Sequence, residues 1–563
     1  MKLLKRLFPL LFVLSLSLIT IIPFFHSGFF SFHDNTQVQR VFEMSKALRD
    51  GVFPVRWSQD LGFNYGYPMF NFYAPFAYYL GAFFNLLGAN VLLATKIMMV
   101  LGVMLASFSI YLFTKELFNK KTAVVAALLY VFAPFHAVDT YVRGDVAELW
   151  AFVFIPLIFY ALYKIYKTPN FSAVALGAFS YAGLILSHNL SAFMATPFIL
   201  LFLILLILLK KDKKTAVYLG LPVLLGILIS AFYWFPAVLE MGYTNVASQT
   251  TGGANFRDHF VCITQLWASP WGFGGSVKGC VDGLSFMIGK SHLALALLSA
   301  ILFVLIVALK KMSKDKILIF GFLIFGFLVS VFLTLDYSKF IWEAIKPMAF
   351  LQYPWRFLLL ISFFISILAA GMLYFLEVLF KNVKNKWFIA LSLVTALVIV
   401  LLNVKFFVPQ TYSLVDASYF TNAYFLKWKT STVTGEYMPK DFLKPSSFAK
   451  LPNRPQVIRG KIQMKMTTHR TGFYAMEYDS DSVSEVLFPI AYFPAWRSKI
   501  DNQNSNYQVK NNGLLITLPS GNHVVTFYYE QTPIEKAADI ISICGILILV
   551  LAIIYRKPYE KSS

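Results

Sequence analysis

Long apolar runs, separated by short loops rich in lysine, extend over most of the chain. A helix that crosses a membrane needs about 20 apolar residues. Runs that approach this length lie at 7–25, 91–113, 122–138, 148–166, 171–187, 190–209, 215–236, 291–310, 317–335, 357–380, 387–408 and 537–555. The pattern predicts a polytopic α-helical membrane protein with about 12 to 13 transmembrane helices.

The basic residues form clusters between these apolar runs. Loops that carry Lys and Arg stay on the cytoplasmic side of a membrane. The clusters are Lys2/Lys5/Arg6, Lys115/Lys120/Lys121, Lys164/Lys167, Lys210/Lys211/Lys213/Lys214, Lys310/Lys311/Lys314/Lys316, Lys381/Lys384/Lys386 and Arg556/Lys557. Alternating the twelve runs places every cluster on one side. This predicts cytoplasmic N- and C-termini in the cell membrane and an uncleaved first helix.

Residues 72–88 form a weaker apolar segment that is interrupted by Pro75, Gly81 and Gly88. If this segment crossed the membrane, the cluster at Lys115–Lys121 would move to the outer side. We therefore predict a re-entrant or interfacial helix here. A short true span that violates the charge rule locally is the alternative.

The same topology puts the longer polar segments on the outer face. They are 26–71, 136–147, 237–290, 336–356 and 409–536. In the last segment apolar and polar residues alternate, and Asn511–Asn512–Gly513 and Ser520–Gly521–Asn522 are turn signals between strands. We predict three units: a transmembrane domain over 1–408, a small extracytoplasmic and mostly β domain over 409–536, and a final transmembrane helix with a cytoplasmic tail over 537–563.

Composition supports the membrane assignment and changes how the net charge is interpreted. Hydrophobic residues make up 58% of the 563 residues and charged residues only 14%, whereas soluble proteins carry about 25% charged residues. The net charge of +21 would suit a nucleic-acid partner. Because the lysines lie in short loops, they are better explained by topology, and we expect membrane lipids and no nucleic acid as partners.

Three cysteines bear on the compartment. Cys262 and Cys280 share the polar segment 237–290, and Cys544 lies in the last apolar run. At an oxidising outer face the first two could form a disulfide, and two free thiols are the alternative. The sequence has no CxxC pair, which argues against a zinc or redox site.

The first outer segment begins with a carboxylate that is followed by a helical pattern. In residues 35–50 apolar residues recur on one face, as in an amphipathic helix at the membrane interface, and Gly51 is placed to end it. Asp34 precedes this helix and Gln37 comes three residues later, so Asp34 could cap the helix in a capping box. Alternatively, Asp34 is a general base held where a lipid-linked substrate presents its head group.

Other polar side chains at the outer ends of the runs are candidates for substrate binding, because charge is costly to bury near a membrane. Arg143 and Glu148 could contact a phosphate and a hydroxyl, or pair with each other. Arg356 could bind a phosphate through two N–H groups or anchor the interface. The remaining substrate-binding candidates are His33, Arg56, Trp57 and His188. Asp139 and Asp145 are expected to be solvated loop residues.

Several short motifs, taken in order, resemble a known family. The stretches GVFPVRW and GYPMFNFYAPFAYYL follow the first outer helix, and YVRGDVAELWAFVFIPL, LSHNLSAF, FLQYPWRFL and GEYMP come later. Near the end, YFPAWRSKIDNQ is followed by LPSGNHVVTFYY. The chain resembles the GT-C superfamily of membrane glycosyltransferases and, more narrowly, the bacterial 6-pyruvoyl-tetrahydropterin-synthase-related, YfhO-like membrane proteins.

The resemblance implies a GT-C-like fold and the transfer of a sugar from a polyprenyl-phosphate donor to a cell-envelope acceptor on the outer face. In such enzymes an Asp in the first outer loop activates the acceptor or helps to hold the donor, and Asp34 is the matching position. No acidic pair of the kind used by metal-dependent oligosaccharyltransferases follows Asp34, so neither a metal nor another cofactor is expected. YfhO-like proteins usually carry a larger outer domain, so the identity of the acceptor does not carry over.

Two other functions stay open at the level of sequence. A transporter or lipid flippase would need charges at mid-membrane depth and broken helices in related positions of two halves. Lys96 is the main charge inside a run, and we find no repeat of the halves. A non-catalytic envelope-assembly protein that has kept the same scaffold is the third interpretation.

Overall fold

The structure is a computed structural model that describes residues 2–250 and 252–556. Its longer α-helices, labelled in chain order, are α1 Lys2–Ser17, α2 Gln37–Arg49, α3 Phe76–Leu86, α4 Val91–Leu117, α5 Lys120–Val131, α6 Val146–Lys167, α7 Phe171–Ser187, α8 Asn189–Lys210, α9 Lys213–Ile229, α10 Ala231–Leu239, α11 Lys290–Ala308, α12 Lys314–Thr334, α13 Leu358–Leu379, α14 Asn385–Asn403 and α15 Pro533–Arg556. Shorter helical segments cover Leu18–Phe25, Met69–Phe72, Pro134–Ala137, Val138–Arg143, Met241–Tyr243, Val246–Thr250, Gly252–Ala254, Phe256–Asp258, Ile263–Trp267, Asp336–Ser338, Lys339–Ala344, Lys346–Leu351, Pro354–Phe357, Val404–Phe406, Ala417–Thr421, Phe425–Thr430, Ser431–Val433 and Phe448–Lys450. Lys557, part of the last predicted basic cluster, lies outside the described residues.

Apolar helices correspond to each of the twelve predicted spans. Among the described residues, nine helices are long and apolar enough to cross a membrane. Two further spans are bent pairs: α5 continues to Arg143 after a bend of 46°, and α9 continues into α10 after a bend of 65°. The remaining one, α7, has 17 residues. The prediction of a polytopic α-helical membrane protein is confirmed.

The weaker apolar segment at 72–88 forms the short helix α3. Its 11 residues give a length of about 16 Å, against a hydrocarbon thickness of about 30 Å. The helix packs closely on its neighbours, because a Cβ atom on Gly81 would lie 2.7 Å from Val41 and 3.2 Å from Met98. The segment is therefore too short to be a full span and lies against α2 and α4.

Two helices occupy the centre of the bundle. The most apolar window of α6 is 89% buried and that of the span containing α13 is 94% buried, whereas the value for α11 and α15 is 22%. The central helices are thus enclosed by other helices, and the outer ones are left to face lipid. The candidate site residues Glu148 and Arg356 lie at or just before the N-terminal ends of the two central helices.

Two antiparallel sheets form most of the segment 456–529. The strands are β1 Phe29–Phe30, β2 Tyr412–Ser413, β3 Gln456–Arg459, β4 Ile462–Arg470, β5 Phe473–Ser480, β6 Ser484–Phe488, β7 Trp496–Ile500, β8 Gln503–Ser505, β9 Gln508–Lys510, β10 Gly513–Leu518 and β11 Gly521–Tyr529. The sheet orders are β3-β6-β10-β9 and β4-β5-β11-β7-β8, and β1 pairs with β2 separately. Asn511 and Asn512, with φ of 46° and 68°, form the predicted turn between β9 and β10. The predicted C-terminal β region is confirmed.

Helix α2 is buried inside the protein, which corrects the prediction of an amphipathic helix at the membrane interface. Gln37, Arg40 and Glu43 on its polar side are each at most 3% exposed. The loop that follows α2 folds over this side, and Ser58 Oγ donates to the Glu43 carboxylate at 2.8 Å. Such bonds lower the cost of burying polar groups. The helix ends just before Gly51, whose φ is 82°.

The two loop cysteines form a disulfide. The Cα atoms of Cys262 and Cys280 are 5.5 Å apart, which decides between the two alternatives left open by the sequence. Next to the bridge, Asp282 accepts hydrogen bonds from Gln265 Nε2 at 2.9 Å and from Ser269 Oγ at 2.5 Å. The bridge and this carboxylate together tie down the 262–282 loop.

Candidate functional site

Asp34 lies just before α2, and three side chains hold its carboxylate. Thr36 Oγ1 donates to Oδ1 and Gln37 Nε2 donates to Oδ2, both at 2.8 Å. Arg40 Nη1 lies 3.3 Å from Oδ2. The side chain of Asp34 is still 29% exposed. The carboxylate is therefore oriented by its neighbours and remains accessible to a substrate.

These contacts differ from those of a capping box. Helix α2 begins at Gln37, with Thr36 in the N-cap position. In a capping box, the oxygen of the cap residue accepts a hydrogen bond from a backbone N–H. The donors found for the Asp34 carboxylate are instead the side chains of Thr36, Gln37 and Arg40. Its hydrogen bonds fix the orientation of the carboxylate rather than the start of the helix.

The loop that carries Asp34 is joined to the loop that carries Arg143. The backbone N–H groups of His33 and Asp34 donate to the carbonyl oxygens of Val142 and Arg143, each at 2.9 Å. These paired bonds place the two loops side by side. Any shift of the Arg143 loop is therefore transmitted to Asp34.

Gly144 permits this close approach of the two loops. Its φ is 65°, and Gln37 Nε2 donates to its carbonyl oxygen at 2.8 Å. A Cβ atom at this position would lie 2.1 Å from the ring of Phe32. Both the left-handed backbone and the lack of space require glycine here.

Arg143 is surrounded by three carboxylates. Its Nη1 lies 2.6 Å from both Asp139 Oδ1 and Glu148 Oε2, and its Nη2 lies 2.7 Å from Asp145 Oδ2. The guanidinium carbon is 4.8 Å from the centre of the Trp355 ring. Of the two alternatives for Arg143 and Glu148, pairing with each other is the one observed. The positive charge of Arg143 is thus matched within the protein.

The expectation that Asp139 and Asp145 are solvated is wrong. The side chain of Asp139 is 0% exposed and that of Asp145 is 13% exposed, because the π-helix Val138–Arg143 turns this loop inward. Oxygens of Asp139, Asp145 and Glu148 lie within 4.8 Å of one another, a spacing that could hold a cation. The guanidinium of Arg143 bonds to all three carboxylates and supplies the positive charge at this place.

Arg356, just before α13, has neutral partners. Its Nη1 lies 3.2 Å from His188 Nε2, and its Nη2 donates to Gln352 Oε1 at 3.3 Å. Ser191 Oγ lies 2.7 Å from His188 Nδ1 and holds the ring. Arg356 is only 8% exposed. None of these partners carries a negative charge, so the guanidinium is suited to receive an anion.

The two arginines belong to one electrostatic cluster. Burial raises the pKa of Asp145, but Arg143 and, to a smaller extent, Arg356 outweigh this effect and hold that pKa well below its usual range. Burial also lowers the pKa of His188 to about 3. The imidazole is therefore neutral at physiological pH and can accept a hydrogen bond from Arg356.

A cavity of about 290 Å³ opens beside Asp34, between residues 29–39 and residues 413–433. Its lining includes His33, Thr36, Gln39, Tyr419, Phe420 and Lys429. Thr36 connects the cavity to Asp34, because its hydroxyl donates to that carboxylate. Gln39 Oε1 is buried and has no hydrogen-bond partner. Aromatic walls with a few convergent polar groups are typical of small-molecule sites.

An apolar groove of about 360 Å³ runs along α6 away from the site. It is lined by Phe76, Leu80, Leu101, Leu105, Phe108, Trp150, Val153, Phe154 and Leu157. Along α6, Leu157 follows Glu148 by nine residues, which corresponds to about 14 Å. The groove thus extends along the axis of α6, away from the level of the carboxylate cluster.

Helix α3 connects the groove with the Asp34 cluster. It contributes Phe76 and Leu80 to the groove. On another side of α3, the hydroxyl of Tyr78 donates to Gln37 Oε1 at 2.8 Å and accepts from Arg40 Nη1 at 3.1 Å. The lipid-facing groove and the polar cluster therefore share one rigid element.

The other predicted residues lie in different surroundings. Arg56 bonds to Asn71 Oδ1 at 2.8 Å and to Asp539 Oδ1, on the last helix, at 2.6 Å. Trp57 packs edge-on against Trp496 at a ring distance of 5.1 Å. Both residues thus join the first loop to the C-terminal part of the chain, away from the Asp34 cluster. His33, by contrast, lines the aromatic cavity, and its Nε2 lies 2.8 Å from Phe273 O.

Sequence reasoning missed several residues of the cluster. Arg40, Gln39 and Tyr78 all contact the Asp34 network or its cavity. The signal available for Arg40 is its spacing, because Gln37, Arg40 and Glu43 recur every three residues on one side of α2. That pattern is equally typical of a solvated helix face, so it could not identify a buried one.

A family model described as a 6-pyruvoyl-tetrahydropterin synthase related domain of membrane proteins matches residues 70–402. An uncharacterized protein from Lactococcus lactis subsp. cremoris is 26% identical over 248 residues, which are 42% of this chain and 40% of that protein.

Two solved glycosyltransferases align in part with this chain at 14% identity. The oligosaccharyltransferase of Archaeoglobus fulgidus, tethered with an acceptor peptide, aligns with a TM-score of 0.44 over 72% of this chain and 55% of its own. The mycobacterial arabinofuranosyltransferase AftD aligns with a TM-score of 0.48 over 73% of this chain and 28% of its own. The chain spans less than two thirds of the length of each of these proteins.

Proposed function

Because the chain belongs to the family of membrane proteins with a 6-pyruvoyl-tetrahydropterin synthase related domain, we propose that it carries out one reaction on that scaffold. It transfers a sugar from a polyprenyl-phosphate donor to a hydroxyl group of a cell-envelope acceptor, on the outer face of the membrane. The observation that carries this proposal is the partly exposed carboxylate of Asp34, which Thr36 links to an aromatic cavity and whose backbone is bonded to the Arg143 loop.

Asp34 is the proposed general base. Its carboxylate takes the proton of the acceptor hydroxyl while the hydroxyl oxygen forms a bond to the anomeric carbon of the sugar. The bond from that carbon to the phosphate oxygen breaks, and polyprenyl phosphate leaves with the electron pair. This single displacement inverts the anomeric centre. The bonds from Thr36 and Gln37 to the carboxylate hold it in place for proton transfer.

Arg356 is the proposed partner of the donor phosphate. A planar guanidinium can bind two phosphate oxygens at once, and its hydrogen-bond partners here are the neutral groups of His188 and Gln352. Arg143 is less suited, because three carboxylates already surround it. Its proposed role, with Glu148, is to position the Asp34 loop.

The apolar groove along α6 fits the prenyl chain of the donor. All of its lining residues are apolar, and it begins near the depth of the charged cluster. A prenyl chain there would bury its surface against protein while the phosphate points toward Arg356.

The aromatic cavity is the proposed acceptor site. It offers a hydroxyl from Thr36, an unpartnered amide oxygen from Gln39 and aromatic rings, which suit the hydroxyls and flat faces of a saccharide. Since Thr36 also bonds to Asp34, an acceptor hydroxyl near Thr36 would lie next to the proposed base.

The test uses the full chain in lipid nanodiscs with a panel of polyprenyl-phosphate-linked hexoses, and measures release of polyprenyl phosphate. We expect turnover by the unmodified protein and a fall of roughly 10²- to 10⁴-fold in Asp34→Asn, the range typical of a lost general base. The control is Asp60→Asn, which removes a carboxylate of the same loop that pairs with Lys46 at 2.5 Å. It should keep most of the turnover.

Two outcomes would contradict this proposal. Full activity of Asp34→Asn would show that this carboxylate only organises the loop. No release of polyprenyl phosphate from any donor by the unmodified protein would favour a non-catalytic assembly protein or a transporter.

A further inference from the structure

A cavity of about 450 Å³ lies at the end of the helical bundle opposite to Asp34. It is formed between α1, α5 and α14. Helix α5 begins at this cavity, and its bent continuation ends at Arg143, so the helix itself separates the cavity from the proposed catalytic cluster.

One end of the cavity is polar and basic. Lys120 and Lys121 line it together with Asn119 and Asn385. Lys121 Nζ is held 2.9 Å from Glu377 Oε1 and 2.5 Å from Asn385 Oδ1. Asn119 Nδ2 donates to the other oxygen of Glu377 at 3.0 Å.

The charge at this end is net positive. Lys120 and Lys121 line this end with Glu377 bonded to Lys121, and two further lysines, Lys384 and Lys386, flank the lining residue Asn385 in the chain. A zwitterionic head group would gain little from such a field, whereas each lysine near the surface contributes about 1 kcal/mol to the binding of an anionic lipid.

The rest of the cavity is apolar and faces the membrane. Phe8 and Phe12 of α1 and Ile389 and Leu393 of α14 line it. Phe8 is 58% exposed and Ile389 is 44% exposed, so the cavity is open on its lipid side. A basic end followed by an apolar wall along two helices matches the head group and one acyl chain of a phospholipid.

We infer that this cavity binds an anionic glycerophospholipid. Its phosphate group lies at Lys120 and Lys121, and its acyl chain lies on Phe8 and Phe12. The lipid fills the space between α1, α5 and α14 and joins these three helices. This site is separate from the proposed transfer reaction and does not depend on it.

The experiment measures the lipids that stay bound to the full chain by native mass spectrometry. The protein is taken from nanodiscs with equal amounts of phosphatidylglycerol and phosphatidylethanolamine. We expect the unmodified protein to retain phosphatidylglycerol preferentially. The double variant Lys120→Gln/Lys121→Gln should reduce this preference by roughly 10- to 30-fold, as expected for two lysines.

Two further variants make the result specific. Lys310→Gln/Lys311→Gln removes another adjacent lysine pair, at the end of α11, and should leave the preference unchanged. Leu393→Phe keeps all the lysines but fills the apolar part of the cavity, and should also lower the retention of phosphatidylglycerol.

Three results would overturn the inference. The first is equal retention of both lipids by the unmodified protein. The second is an equal loss of preference in the Lys310/Lys311 variant. The third is full preference in Leu393→Phe, which would show attraction to surface charge rather than binding in the cavity.

Discussion

Arg143 and Arg356 lie in one charged cluster, are both almost fully buried and have opposite surroundings. Arg143 contacts three carboxylates, at 2.6 to 2.7 Å. Arg356 contacts an imidazole that is neutral at physiological pH and an amide. The first arginine is neutralised by the protein, and the second has a charge that its bonded partners do not match.

This difference separates a structural arginine from one that can bind a substrate. A buried arginine with its carboxylates in place stabilises a loop, because removing it leaves negative charge unpaired. A buried arginine whose bonded partners are neutral keeps N–H groups that an anionic ligand can use, and Arg356 Nε has no hydrogen-bond partner. Burial alone would not have distinguished the two, since each side chain is only about 8% exposed.

The largest effect should follow the loss of the neutralised arginine. Arg143→Met leaves the carboxylates of Asp139, Asp145 and Glu148 buried without their cation, and we expect a loss of about 3–5 kcal/mol in the free energy of unfolding. Denaturant titration in detergent measures this loss.

The control for Arg143→Met is Arg257→Met, at an exposed ion pair with Glu343. It should cost no more than about 1 kcal/mol. Equal stability of the two variants would contradict the structural role of Arg143.

Loss of Arg356, whose bonded partners are neutral, should act mainly on turnover. In Arg356→Met we expect donor turnover to fall by roughly 10²- to 10³-fold, as for other lost groups that stabilise charge in a transition state. The loss in the free energy of unfolding should be smaller than in Arg143→Met, because no buried carboxylate loses a bonded cation. Arg356→Lys should recover part of the turnover, because it restores the charge without the planar fork.

If Arg356→Met instead unfolds as readily as Arg143→Met, the distinction between the two arginines fails.

A smaller effect should come from the contact between the Asp34 loop and the Arg143 loop. Gly144→Ala places a Cβ atom against Phe32 in a left-handed backbone, and we expect a loss of about 1–3 kcal/mol. Turnover should fall with it, since the Asp34 loop is bonded to this segment. Gly51→Ala has a similar φ of 82° but open space around the Cβ atom, and should cost about 1 kcal/mol or less.

If Gly144→Ala lowers the free energy of unfolding by no more than Gly51→Ala does, the contact with Phe32 does not constrain how the two loops pack.

A pH-dependent effect should come from the neutral partner of Arg356. The pKa of His188 is about 3 in the folded protein and near 6.5 in an unfolded chain. Its contribution to stability is therefore fully present above pH 6.5 and is lost as the pH falls toward 3. The slope is at most about 1.4 kcal/mol per pH unit.

His188→Gln should remove this slope while keeping a hydrogen-bond acceptor for Arg356. Unfolding titrations over roughly pH 5 to 8 test it, with the exposed His26→Gln as the control. The same acid slope in His188→Gln and in the unmodified protein would assign the slope to other groups.

Much of the fold could be predicted from the sequence because apolar length and lysine position are local signals. The apolar helices that match the twelve predicted runs, and the strands in the second half of the predicted β domain 409–536, follow from such patterns. The burial of α2 could not be predicted, since it results from contacts with segments far along the chain. Asp139 and Asp145 were misjudged for a similar reason, because a π-helix turns a polar loop inward.

The candidate site shows the same contrast between local sequence patterns, which can be recognised, and long-range contacts, which cannot. Asp34, Arg356 and His188 could be selected as polar groups at the predicted outer ends of the apolar runs. Which of the two arginines bonds to carboxylates could not be predicted, because that depends on which carboxylates meet each guanidinium in three dimensions. Arg56 illustrates this, as its carboxylate partner Asp539 lies on the final helix.

The bond between Arg56 and Asp539 joins residues that are 483 positions apart. During synthesis the first loop emerges long before its acidic partner exists. The guanidinium can gain this partner only after the helix that carries Asp539 has been made. A ribosome stalled before that helix would therefore leave the first loop without its ionic bond to the C-terminal part of the chain.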